Sequence, residues 1–79
     1  MHAEINVKTA AGLRGLRAEK NMTIEDVASK TGISKDTISR YENSNVSMQL
    51  YILDKLVDCY GISLDIFFKN IYDRMQNKE

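Results

Sequence analysis

The chain has 79 residues, with 11 basic and 11 acidic side chains, one histidine and no proline, so its formal charge is zero. A chain of this length buries only roughly 60% of the surface its unfolded form exposes, which limits it to one small domain whose thin core needs support from local signals. No apolar run approaches the ~20 residues of a membrane span, the N-terminus lacks the grammar of a signal peptide, and the single cysteine, Cys59, excludes an internal disulfide and leads us to expect a cytoplasmic protein with no membrane partner.

The absence of proline and of sustained period-2 alternation predicts helices throughout. Residues 1–8 are expected to form an N-terminal arm. Thr9, four residues before Leu13, then reads as the cap of a first helix running to about Lys20, with Asn21 as its left-handed stop. Met22-Thr23 with Val27 is an apolar residue, a hydroxyl cap and an apolar residue one turn on, and Asp26 completes a capping box. This predicts a second helix from Thr23 to Thr31. Gly32 and Ile33 make a tight turn into a third helix, Ser34 to Asn43, which repeats the cap grammar with Ile33, Ser34 and Ile38. Val46-Ser47 with Tyr51 predicts a fourth helix, Ser47 to Tyr60, stopped by Gly61. Ile62-Ser63 with Phe67 predicts a fifth, from Ser63 towards Met75. The expected fold is all-α: a domain over residues 9–68 and a C-terminal helical extension over 69–79.

The third helix is unusual. One face, with Ile38, Tyr41 and Glu42, is built for a core. The other opens with Ser34, Lys35, Asp36 and Thr37, and Arg40 follows a turn later. The two halves of the chain carry 7 − 6 = +1 over residues 1–45 and 4 − 5 = −1 over residues 46–79. Bulk attraction to nucleic acid is therefore disfavoured, and any such role must rest on local placement of charge. No Ser/His/Asp set, paired-carboxylate pocket, glycine-rich phosphate loop or metal-ligand spacing is present. Neither an enzyme nor a metal or cofactor is expected, and Cys59, three residues after Leu56, reads as a small core residue.

Taken together, Leu-Arg near the end of the first helix, Met22-Thr23 ahead of Val27-Ala28, Thr31-Gly32-Ile33-Ser34, Thr37-Ile38-Ser39-Arg40-Tyr41-Glu42-Asn43 and Gly61-Ile62-Ser63-Leu64-Asp65 ahead of Phe67 resemble the lambda-repressor-like helix-turn-helix domains of Cro and Xre regulators. The resemblance spans about Leu13 to Phe68. It implies a compact five-helix domain in which the third helix lies in the DNA major groove and the second crosses the backbone. Ser34, Lys35, Asp36, Thr37 and Arg40 then occupy the positions that read bases and neighbouring phosphates, and Thr23, Asn43 and Asn45 complete the expected DNA-binding set. Arg17 and Glu42 stand where several relatives have a buried ion pair. The chain departs from the pattern at Ile24, where a phosphate-clamping glutamine is common, at Ser44, where glycine is common, at Asn45, where a basic residue is common, and at Met48, where proline is.

Phe68, Ile71, Tyr72 and Met75 fall on one helical stripe past the end of the resemblance. With Leu64 and Phe67 already supplying the core, that stripe is expected to be covered by a second copy of the chain. The expected function is that of a sequence-specific regulator of transcription that binds double-stranded DNA, a repressor acting as a homodimer on a palindromic operator. The competing reading is an interaction module, antirepressor-like or antitoxin-like, that keeps the fold and works through a protein partner.

Overall fold

Asn21, Gly32 and Gly61 have φ of 56°, 78° and 85°. These are the three residues expected to stop helices in the left-handed conformation. The computed structural model describes residues 2–43 and 47–77 and places five helices around those stops. They are α1 (His2–Glu19), α2 (Ile24–Thr31), α3 (Lys35–Asn43), α4 (Leu50–Cys59) and α5 (Leu64–Asn77). None is long and apolar enough to cross a membrane.

The start of α2 is a complete capping box. The Thr23 hydroxyl accepts from the Asp26 N–H at 3.0 Å, and the Asp26 carboxylate accepts from the Thr23 N–H at 2.9 Å. The Thr23 N–H, and after it the Thr23 hydroxyl, favour the ionised form and hold the Asp26 carboxyl below its usual range. At the other end the Gly32 N–H reaches the Ala28 carbonyl at 2.9 Å. Thr31 adds a clasp: its hydroxyl donates to the Val27 carbonyl at 2.8 Å and accepts from the Ile33 N–H at 3.1 Å. Ile33 is thereby fixed in the core between α2 and α3. Ser34 caps α3 by accepting from the Thr37 N–H at 3.2 Å.

Two helix starts differ from expectation. α1 begins at His2, so residues 2–8 are helix and not an arm. Thr9 does not cap it; buried in mid-helix, its hydroxyl donates to the Ile5 carbonyl one turn back at 2.7 Å, an alternative open to any helical threonine. α4 begins at Leu50 and not at Ser47, with Gln49 in the extended cap position and no side-chain cap. The N–H of that cap residue is satisfied from elsewhere in the fold: the Tyr41 phenol oxygen accepts from the Gln49 N–H at 3.1 Å. With the start moved, Tyr51 is 67% exposed and staples nothing.

The core joins all five helices through Leu13, Val27, Ile38, Tyr41, Leu56, Val57 and Phe67, among others, with Cys59 packed against it from α4. Burial pushes the Cys59 thiol above its usual pKa, as expected for a packing residue rather than a nucleophile. α1 meets α3 on one side and α5 on the other. The approach to α5 is close at Gly12: a Cβ there would lie 3.1 Å from Phe67 Cε1 and 3.5 Å from Ile71 Cδ1, so a larger residue would press on the Phe67 ring. Gly15, one turn on, has nothing within 4 Å of a Cβ position and is exposed. Gly15→Ala is therefore expected to stabilise the protein by ~0.5–1 kcal/mol, by helix propensity and a less flexible unfolded chain. A higher urea midpoint at unchanged slope is the measurement that checks it.

Candidate nucleic-acid interface

The outward face of α3 exists because its inward face is held so firmly. Ile38, Tyr41 and Glu42 are buried at i, i+3 and i+4. Glu42 is 2% exposed, and its carboxylate accepts from Arg17 of α1 through two bonds, Nε at 2.8 Å and Nη2 at 3.0 Å. Arg17 Nη1 also donates to the Met22 carbonyl at 3.0 Å. The Glu42 hydrogen bond raises the Arg17 pKa further, against a smaller opposing effect of burial. Arg14 adds a second tie by donating to the Glu42 main-chain carbonyl. The last turn of α3 is thus fastened to α1 through both the side chain and the backbone of one residue. Burial, with the Glu42 charge nearby, pushes the Tyr60 phenol up to about 12.

With that face fixed, Ser34, Lys35, Asp36 and Arg40 are exposed and Thr37 is half-buried. The Ser34 hydroxyl also donates to Thr37 Oγ1 at 3.0 Å, so these two act as one local unit. Asp36 lies in the first turn of α3, where the helix dipole stabilises a carboxylate. Asn43, at the end of α3, turns its amide back to the Ser39 carbonyl at 3.1 Å. Thr23 is exposed but its hydroxyl is engaged in the capping box. Asn45 lies outside the described residues.

Between the start of α2 and α3 lies an open cleft of about 540 Å³, lined by Arg17, by residues 22–25 and by Lys35, Asp36 and Ser39. It brings Thr23, Lys35 and Asp36 to one place, while Arg40 and Asn43 stand further along α3. Ile24, where a polar clamp was expected in relatives, packs against the core. Glu25 and Lys35 form an ion pair across α2 and α3 at 3.6 Å.

The set expected at a dimer contact is divided by the structure. Ile71 is 2% exposed and belongs to this chain's own core. It was expected on the outside because Leu64 and Phe67 were taken to supply the whole of α5's share of the core; Ile71 instead packs towards α1, its Cδ1 3.5 Å from where a Cβ on Gly12 would lie. Phe68 is half-buried and meets Phe67 edge to face, with ring centroids 5.6 Å apart. Tyr72 is 61% exposed. The Met75 side chain lies outside the described residues.

Three structural contacts of the site had no reading in the sequence. They are those of Arg14 with the Glu42 carbonyl, of Glu25 with Lys35 and of the Tyr41 phenol with the Gln49 N–H. The i, i+3 spacing of Arg14 and Arg17 was the one available signal for a shared target.

The profile of a family described as helix-turn-helix matches residues 13–67. Over 52 residues the chain is 35% identical to the cryptic phage CTXphi transcriptional repressor RstR of Vibrio cholerae, a match covering 66% of this chain and 47% of that protein. The match thus spans about half the length of that curated relative. In three dimensions the chain is similar to the restriction-modification controller protein C.Esp1396I, seen as a tetramer in complex with its natural 35 base-pair operator. The TM-score is 0.79 at 24% identity, covering 90% of this chain and 93% of that one. A crystal structure of a mutant of the same controller protein gives a TM-score of 0.82 at 22% identity, covering 98% and 100%. At such identities the two structures establish the all-α fold.

Proposed function

This chain belongs to the Xre-type helix-turn-helix family, and from that membership we propose that it regulates transcription, as a repressor, by binding a palindromic double-stranded operator as a homodimer. The observation that carries the reading is α3 itself, buried along Ile38, Tyr41 and Glu42 and open along Ser34, Lys35, Asp36 and Arg40. Arginine suits guanine, lysine suits guanine or phosphate, and Thr37 offers a methyl to thymine or a hydroxyl to phosphate. Asp36 accepts only from a donor such as the cytosine amine, so it filters sequences rather than adding affinity. Local charge on α3 is enough for this, and the zero net charge of the chain is no obstacle. The family relative from Vibrio cholerae is named a transcriptional repressor, in keeping with the proposal.

A single helix-turn-helix contacts too few base pairs for useful specificity. Two copies related by a two-fold axis place their recognition helices about 34 Å apart, one DNA turn. With Ile71 in the core, the surface left for that contact on α5, among the described residues, is Phe68 and Tyr72. Tyr72→Asp is expected to leave the fold intact, to convert a dimer into a monomer in sedimentation, and to weaken operator binding roughly tenfold or more, each tenfold being about 1.4 kcal/mol. A wild-type protein that is monomeric at high micromolar concentration overturns the dimer.

A gel shift with the DNA upstream of the protein's own gene tests the function. A sequence-specific, salt-sensitive shift supports the repressor. No shift, together with a co-purifying protein, favours the interaction module, a reading that rests on the ion-paired state of Lys35 and the apolar Ile24 at the start of α2.

A further inference from the structure

Resting on the DNA-reading role of α3 proposed above, we propose that Glu25 is a specificity-determining residue: it holds the Lys35 ammonium at the mouth of the cleft between α2 and α3 and turns it from the phosphate backbone towards base edges. Lys35 Nζ lies 3.6 Å from Glu25 Oε2, and the two side chains are 59% and 70% exposed. A pair so open to water contributes little to folding. Its consequence is for what Lys35 meets next.

A lysine is a point charge on a flexible four-carbon stem. Left to itself at the DNA surface, its ammonium takes the nearest phosphate oxygen, a contact that carries no sequence information. Glu25 changes the competition. A phosphate that approaches Lys35 also approaches the Glu25 carboxylate and is repelled by it. A base edge is neutral and suffers no such repulsion, and the O6 and N7 of guanine offer the ammonium two acceptors. The same carboxylate therefore lowers the affinity of Lys35 for any duplex and raises its preference for one sequence. Among the described residues no ion pair engages Arg40, so on α3 this control falls on Lys35 alone.

The test is a salt series of binding isotherms for the wild type, Glu25→Gln, Lys35→Ala and the double variant. Each is measured on the tightest duplex that the wild type selects from a randomised library and on a random-sequence duplex of equal length. Glu25→Gln is expected to bind the random duplex more tightly, with the slope of log K against log salt steeper by about 0.9, one added phosphate contact. Its ratio of selected to random affinity should fall to that of Lys35→Ala. In the Lys35→Ala background the same substitution should change neither slope nor ratio. An equal gain in both backgrounds means that Glu25 only repels DNA in bulk, and overturns the inference, as does a ratio that Glu25→Gln leaves unchanged. If the wild type selects no sequence from the library, the reading role of α3 fails and this inference with it. If the wild type selects and the ratio survives Glu25→Gln, the inference alone fails. Both side chains are exposed, so the variants are expected to melt with the wild type.

Discussion

Arg17→Met is expected to cost ~3–5 kcal/mol of folding stability, the largest loss from any single substitution considered for this chain. The reason is an asymmetry in the pair. Glu42 is 2% exposed and its two carboxylate oxygens both accept from Arg17. Without the guanidinium, a charge is left in the core with no water to replace the lost bonds. Arg17 is 25% exposed along its side chain and keeps the Met22 carbonyl as a second acceptor. Glu42→Gln therefore leaves a cation that water can still reach, and should cost less, ~1–3 kcal/mol. Replacing both members by apolar groups, Arg17→Met with Glu42→Leu, removes the stranded charge and should recover most of the loss. Urea unfolding of the three variants measures the order. An Arg17→Met protein that unfolds at the wild-type midpoint would show the carboxylate to be hydrated and the bridge dispensable. The same pair matters for function, because it seats the last turn of α3 and so sets the direction in which Arg40 projects.

Much of this arrangement was legible in the residues. Asn21, Gly32 and Gly61 stop helices because few residues tolerate positive φ, and Thr23 with Asp26 caps α2 because both halves of the box lie within four residues. These signals are complete in the local chain. Thr9 lacks the apolar residue ahead of the cap, while Ser47 carries the whole pattern and still does not start α4. A threonine hydroxyl serves as well for the Ile5 carbonyl in mid-helix as for an N-terminal cap, and the spacing to Leu13 does not separate the two. Ser47 lost the cap position to Gln49, whose N–H meets the phenol oxygen of Tyr41, eight residues earlier. The error at Ile71 came from taking Leu64 and Phe67 as the whole of α5's share of the core, whereas α5 stays packed on α1 one turn further, with Ile71 against Gly12. At the site, the outward set on α3 follows from helical spacing once Ile38, Tyr41 and Glu42 are taken as buried. The Glu25–Lys35 and Arg14–Glu42 contacts join residues on different helices and needed the fold to be seen.

Arg40→Ala is expected to weaken operator binding by ~1–3 kcal/mol and to relax preference at one base pair per half-site, leaving the fold intact. Arg40 is exposed on the side of α3 opposite Ile38 and Tyr41, and its planar fork can engage two acceptors on one guanine. Lys20→Ala, on the rim of α1, should instead weaken all sequences alike or do nothing. The measurement that bears most directly on the central claim is binding of the wild type, Arg40→Ala and Lys35→Ala to a panel of single-base operator variants at fixed salt. If α3 reads DNA, each α3 substitution flattens the ranking at its own base pair and leaves the other positions in order. If both variants rank every duplex as the wild type does, α3 is not the reader, and a protein partner is the better account of its exposed face.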